Sequence, residues 1–343
     1  MRASVVVRSK DEADRLRLTL RSLSRQTVAP EVVVVNDGST DATEAVLDEA
    51  EPLLDLKRIH NPTPKGRSAA ANMGAEAATG DILIFLDGDT LAGPDFVLKH
   101  LEPHRTGEGV VPRGETHQLR CTRFFANPQT GTPRPGEEAR IAAMSESELA
   151  RMRVTVEDVE NNFASVHKRS QPGIYPGAGP RRLFDLEMEA LRNHPQCSLL
   201  WAAASGSNQS VPRAAFLDAG GFHKDITINE HRELALRLTN AGLRMVPANG
   251  AYSYHLTHRS GWRDPSTDEA WEKIFYAAHP IAAVPLLSVF WGSLSDPVPF
   301  PVEARINSLP ELEAIAQKHK DVHGAEEVRR AHFLATAGAY ETQ

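Results

Sequence analysis

At 343 residues the chain has the length of about two ordinary domains, or of one large α/β domain carrying additions. Its 41% apolar and 24% charged residues exclude disorder for most of the length, and 38 Lys and Arg against 45 Asp and Glu, a formal net charge of −7, argue against a nucleic-acid-coating protein. The two cysteines, Cys121 and Cys197, stand in no zinc-like spacing and read as reduced thiols of a cytoplasmic protein.

The first hundred residues alternate short apolar runs with helical spacing, the pattern of a βαβα layer with buried parallel strands. Strands are predicted at Ser4 to Val7, Glu31 to Val35, Leu54 to Ile59 and Ile82 to Leu86. Ser9 and Glu12 form an S-x-x-E capping box, after which Leu16, Leu20 and Leu23 share one helical face. A second helix starts near Asp41 and Glu44, and an alanine-rich third, Ser68 to Ala78, closes at Gly80 in the C-terminal cap position. Right-handed crossovers make this a doubly wound sheet. From about Arg105 to Leu200 the pattern loosens into an insertion with Pro and Gly clusters, in which Glu146 to Ala164 and Leu183 to Leu191 read as helices.

Regular α/β signals then return. Arg213 to Ala219 and Glu230 to Ala241 read as helices, and Leu243 to Val246 and Ala251 to Tyr254 as apolar segments. Beyond Trp262 the chain reads mostly helical. The apolar start after Met1 is too short for a signal-peptide core, and no run approaches the roughly 20 residues of a membrane span. The nearest, His279 to Trp291, is interrupted by Pro280 and Pro285 and is expected to be buried or to meet a partner such as a second copy of the chain.

Ligands of open parallel sheets bind at the carboxyl ends of the strands, and two acidic clusters fall there. Val32 to Val35 runs into Asn36-Asp37-Gly38-Ser39-Thr40-Asp41, and Ile82 to Leu86 into Asp87-Gly88-Asp89-Thr90. An Asp-x-Asp at a strand end can turn two carboxylates toward one hard cation, and the intervening glycine would let a diphosphate approach the backbone.

In these stretches, with Asn72-Met73-Gly74 and Ala78-Thr79-Gly80-Asp81 between them, the chain resembles the family 2 glycosyltransferases of the GT-A fold. A later part resembles the C-terminal half of galactosyltransferase-like members: Ser207 to Arg213, Gly220-Gly221-Phe222, the Glu-x-x-Glu-Leu-x-x-Arg-Leu of Glu230 to Leu238, and Tyr254 to His258. The likeness covers roughly residues 1 to 105 and 200 to 260. It implies a GT-A domain over residues 1–260, a doubly wound mixed sheet with an inserted acceptor region at about 105–200, and a mostly helical C-terminal extension over 261–343.

The same resemblance implies that Asp37, with Asn36, contacts the nucleobase, that Asp87 meets ribose or metal, and that Asp89 and His255 hold a divalent cation, Mn2+ or Mg2+. His258 is the lesser candidate. Where relatives carry Glu-Asp, with the Asp as base toward the acceptor, this chain has Glu230-His231. An imidazole can do that work, since its ordinary pKa of about 6.5 lies near operating pH. His231 is therefore the favoured base and Glu230 the second. Relatives often have Arg at the position of Ala71; Lys65, Arg67, Arg181 or Arg182 could supply a phosphate-facing charge instead, and Arg8 follows the first strand. The Gly173 to Pro180 stretch suits a closing loop, and Trp201 either packs or stacks on a sugar face.

The expectation is a metal-dependent, inverting transfer of sugar from a nucleotide sugar, a UDP-sugar favoured, to a hydroxyl of a small-molecule or soluble glycan acceptor. The alternatives are a non-catalytic nucleotide-sugar binder and a nucleotidyltransferase. The second lacks a Gly-rich phosphate loop after the first strand, where Arg8-Ser9-Lys10-Asp11-Glu12 stands.

Overall fold

The computed structural model describes residues 1–173, 183–258, 270–294 and 300–337. The first half alternates β1 (Ala3–Ser9), α1 (Ala13–Ser24), β2 (Glu31–Asp37), α2 (Thr43–Ala50), β3 (Asp55–Asn61), α3 (Arg67–Ala77) and β4 (Ile82–Asp87). Every residue of β1 and β2 is buried, because helices cover both faces of the parallel strands. Next come β5 (Thr90–Ala92), α4 (Phe96–Thr106) and β6 (Val110–Gln118).

Two expected caps are replaced. Glu12 occupies the cap position of α1 without a side-chain bond, and the Asp41 Oδ2 accepts the Ala13 N–H instead at 2.8 Å. Asp41 Oδ1 also accepts the Thr43 N–H at 3.1 Å, so one carboxylate caps α1 and α2 together. Helix α3 passes into extended chain at Ala78, and Gly80 donates its N–H to Ser4 Oγ rather than closing the helix.

The insertion comprises β7 (Phe125–Asn127), β8 (Thr132–Pro133), α5 (Glu138–Ala142), α6 (Glu146–Met152), α7 (Val156–Asn161), α8 (Phe163–Arg169) and β9 (Gln171–Pro172). The helix expected over Glu146 to Ala164 is broken because Thr155 starts a new capping box with Asp158. After α9 (Leu183–Asn193) follow β10 (Gln209–Pro212), α10 (Arg213–Asp218), α11 (Glu230–Asn240) and β11 (Arg244–His255), in which the two expected apolar segments form one strand with an irregularity between Pro247 and Tyr252.

The sheet runs β3-β2-β1-β4-β10-β6-β11-β5, with β9 also on β6. It is mixed: β1 to β4 pair in parallel, whereas β10 is antiparallel to β4 and β5 to β11. Helices α12 (Ala270–Ala278), α13 (Ala283–Ser293), α14 (Leu309–Lys318) and α15 (Ala325–Ala337) complete the chain. Trp271, Phe275 and Trp291 of these helices join one hydrophobic cluster with Trp201, α9, α11 and the sheet residues Val6, Leu83 and Val211. The apolar run of α13 is thus buried, and among the described residues no helix is long and apolar enough to cross a membrane.

Candidate active site

The strands converge their carboxyl ends on one edge, and the acidic side chains expected there are met by partners from distant parts of the chain. At the end of β2, Asp37 Oδ1 accepts from Asn61 Nδ2 and the Lys65 N–H, both at 2.8 Å, and Oδ2 accepts the Gly66 N–H at 2.9 Å. Asp37 therefore holds the turn that leads into α3. Asn36 is buried; its Oδ1 accepts the Ser39 N–H at 2.9 Å and its amide donates to Glu44, so it shapes the turn after β2.

At the end of β4, Asp87 keeps a quarter of its side chain exposed. The Arg8 Nε donates to Asp87 Oδ1 at 2.7 Å, Arg67 stands 3.8 Å from Oδ2, and the Asp87 N–H donates to Ser207 Oγ at 2.9 Å. Arg8 and Arg67 thus both bring positive charge to Asp87, while Ala71 itself is buried in the core. Arg181, Arg182 and the Gly-rich loop from residue 174 lie outside the described residues. Trp201 is buried against Phe275 at 5.8 Å and packs. Gly88 is also required by packing, because a Cβ there would collide with the Glu12 and Ser9 side chains.

Asp89, buried, meets two imidazoles: its Oδ2 lies 3.2 Å from His255 Nε2 and 2.7 Å from His258 Nε2. All three ligand atoms lie within 4.8 Å of one another, the one such group of three among the described residues. His258 therefore stands on equal terms with His255. Burial alone would raise the Asp89 carboxyl, but the two imidazoles hold it well below the usual range, and Asp89 in turn raises His255 against its own burial. Gln118 Oε1 accepts the His255 Nδ1 hydrogen at 2.7 Å, which leaves Nε2 as the ligand atom. One carboxylate oxygen and two imidazole nitrogens could together hold a divalent transition-metal cation. Glu12, also beside this group, is raised well above the usual carboxylate range by burial and by Asp89.

Helix α11 presents the Glu230-His231 pair. Glu230 is almost fully buried, its Oε1 accepting from Arg8 NH1 at 3.1 Å, so that Arg8 bridges Asp87 and Glu230. Burial would raise the Glu230 carboxyl, but Arg67, His231 and Arg8 hold it well below the usual range. Burial and the adjacent Arg232 lower His231. Arg232 donates to His231 Nε2 at 2.9 Å, to Asn229 Oδ1 at 2.7 Å and to Glu187 Oε1 at 2.8 Å; Arg113 donates to the other Glu187 oxygen at 2.7 Å. This buried chain and Gln118 escaped the sequence reading, which also took Glu12 only as a helix cap, since their partners here lie more than 40 residues away.

Residues 4–146 match the family model described as glycosyl transferase family 2. This segment belongs to the family 2 glycosyltransferases. The matched segment carries Asp37, Asp87 and Asp89, while the Glu230-His231 pair, His255 and His258 lie beyond it. Among family relatives, the glycosyltransferase YfnE of Bacillus subtilis is 25% identical over 340 residues, 93% of this chain and 80% of that protein. The validoxylamine A glucosyltransferase of Streptomyces hygroscopicus subsp. limoneus is 30% identical over 264 residues, 74% of this chain but only 51% of that protein. Among solved structures, Staphylococcus aureus TarS 1-349 in complex with UDP-GlcNAc aligns with a TM-score of 0.54 at 14% identity, covering 100% of this chain and 92% of that one. That likeness places the chain in the GT-A fold.

Proposed function

We propose that the chain transfers a sugar from a nucleotide sugar, a UDP-sugar first among the candidates, to a hydroxyl of a small-molecule or soluble glycan acceptor, with inversion. The observation that carries the reading is the Asp89, His255 and His258 group at the strand ends, two residues from Asp87. A divalent cation bound there would neutralise the diphosphate as it departs. Asp37 and Asn36 would border the nucleobase, Asp87 the ribose or the metal, and Arg67 and Arg8 would supply positive charge to the phosphates. The Glu230-His231 pair would receive the acceptor proton as its oxygen attacks opposite the leaving group. We assign the transferase domain to residues 1–260, with the acceptor meeting the insertion and α11, and residues 261–343 to a helical extension that is also a candidate homodimer contact. The free state of Cys121 and Cys197 agrees with a cytoplasmic setting.

Calorimetric titration with UDP, GDP and dTDP, each with and without Mn2+, tests this. We expect UDP to bind with Mn2+, and Asp89→Ala to weaken that binding at least tenfold. Absence of binding by any nucleotide under either condition would overturn the reading.

A further inference from the structure

The Glu-His pair leaves open which member takes the proton, and the hydrogen bonds around it bear on the choice. A guanidinium has donors only. Arg232 NH1 lies 2.9 Å from His231 Nε2, so that nitrogen must accept. Arg232 has no freedom to turn away: Glu187 and Asn229 hold its two terminal nitrogens and the Ala202 carbonyl accepts from Nε at 2.8 Å, while Arg113 fixes Glu187 from the far side. With Nε2 accepting, the ring is neutral and its single hydrogen sits on Nδ1. A base needs a lone pair directed at the acceptor. In this arrangement the one lone pair of His231 is occupied by Arg232.

What His231 offers instead is a donor. Its Nδ1 is buried with no partner within hydrogen-bonding distance among the described residues, and Glu230 Oε2 stands 3.7 Å away. Arg8 NH2 is a second buried donor without a partner there. The two converge on Gly206, where a Cβ would stand 3.1 Å from His231 Nδ1 and 3.5 Å from Arg8 NH2. Unpartnered buried donors cost stability and are kept where a ligand oxygen completes them.

We propose that Arg232 is a positioning residue that holds His231 in the Nδ1–H form, that Nδ1–H and Arg8 NH2 are donors to the attacking oxygen, and that Glu230 is the base. The proposal rests on the transferase reading above. In the step, the acceptor hydroxyl gives its proton to Glu230 and its oxygen bonds to the anomeric carbon. The bond from that carbon to the diphosphate breaks, its electron pair leaving with the diphosphate. As the proton passes to Glu230, the two N–H groups already in place hold the attacking oxygen in line with the anomeric carbon.

Two measurements test it. Long-range 1H–15N NMR of the imidazoles, assigned with His231→Asn, reports the tautomer directly: Nδ1–H is expected for His231, and Nε2–H overturns the proposal. Release of nucleoside diphosphate from a UDP-sugar, with water as acceptor, separates the roles. Asparagine places an N–H near the Nδ1 position and cannot take a proton, so His231→Asn is expected to keep at least a third of the rate that His231→Ala loses by 30-fold or more. Equal loss in the two variants makes His231 the base and overturns the proposal. Nucleotide binding by calorimetry, expected to be unchanged in both variants, keeps this outcome distinct from failure of the transferase reading.

Discussion

His255 and Gln118 face each other in register on the parallel strands β11 and β6, and the Gln118 carbonyl oxygen accepts the His255 Nδ1 hydrogen at 2.7 Å. The strand pairing thus aims the imidazole Nε2 at Asp89. Replacing Gln118 with Ala is expected to weaken Mn2+ binding by about 10–100-fold, the usual effect of losing a partner behind a metal ligand, with the fold intact. Titration of Mn2+ into wild type and variant measures it.

Stability should fall on mild acidification. Burial pushes His100 down to about 3 and His104 down to about 4, and both bond the Ser210 hydroxyl in the core. Their pKa values in the unfolded chain return to the ordinary 6.5, so the unfolded state takes up protons first as pH drops. The stabilisation is complete above pH 6.5 and is lost progressively toward pH 3 to 4. Between pH 7 and pH 5 the loss is on the order of 2 kcal/mol per histidine. Urea unfolding at both pH values, with His104→Asn as the less steep comparison, would show it; identical pH slopes would count against this assignment.

Glu187 is buried between two buried arginines, Arg113 and Arg232. Its replacement by Ala removes the carboxylate that two buried cations share and should cost about 3–5 kcal/mol, whereas Glu187→Gln keeps part of the hydrogen bonding and should cost less. Denaturant midpoints of the two variants provide the comparison.

Asp41 caps two helices at once, with 2.8 Å to the Ala13 N–H and 3.1 Å to the Thr43 N–H. Each cap is worth about 0.5–2 kcal/mol, so Asp41→Ala should destabilise by roughly 1–3 kcal/mol, more than a single-cap loss such as Ser308→Ala at α14.

That double cap also shows what sequence could and could not reveal. Ser9-x-x-Glu12 and Ser145-x-x-Glu148 have the same spacing, yet only the second is a capping box. Ser145 is exposed and free to turn back on its own helix, whereas Ser9 closes a buried strand and Glu12 lies against Gly88, where Asp89 raises its carboxyl. The strand ends with Asp37, Asp87 and Asp89 were legible because buried parallel strands leave a plain apolar signature before each polar residue. His258 lies past the end of β11, where no periodicity predicts its direction, so the sequence ranks it below His255. Gln118 and Glu187 were invisible for a different reason: one is 137 residues from its histidine and the other 45 from its arginine.

The Trp291 ring of α13 lies 5.0 Å from the Arg232 guanidinium, at the foot of the helix that carries Glu230 and His231. Helix α13 therefore acts as a floor beneath the candidate base. A mutation there, far from any substrate in sequence, could tilt that floor and be read in a rate assay as a catalytic defect, so deletion mapping of this protein should be scored by nucleotide binding as well as by turnover.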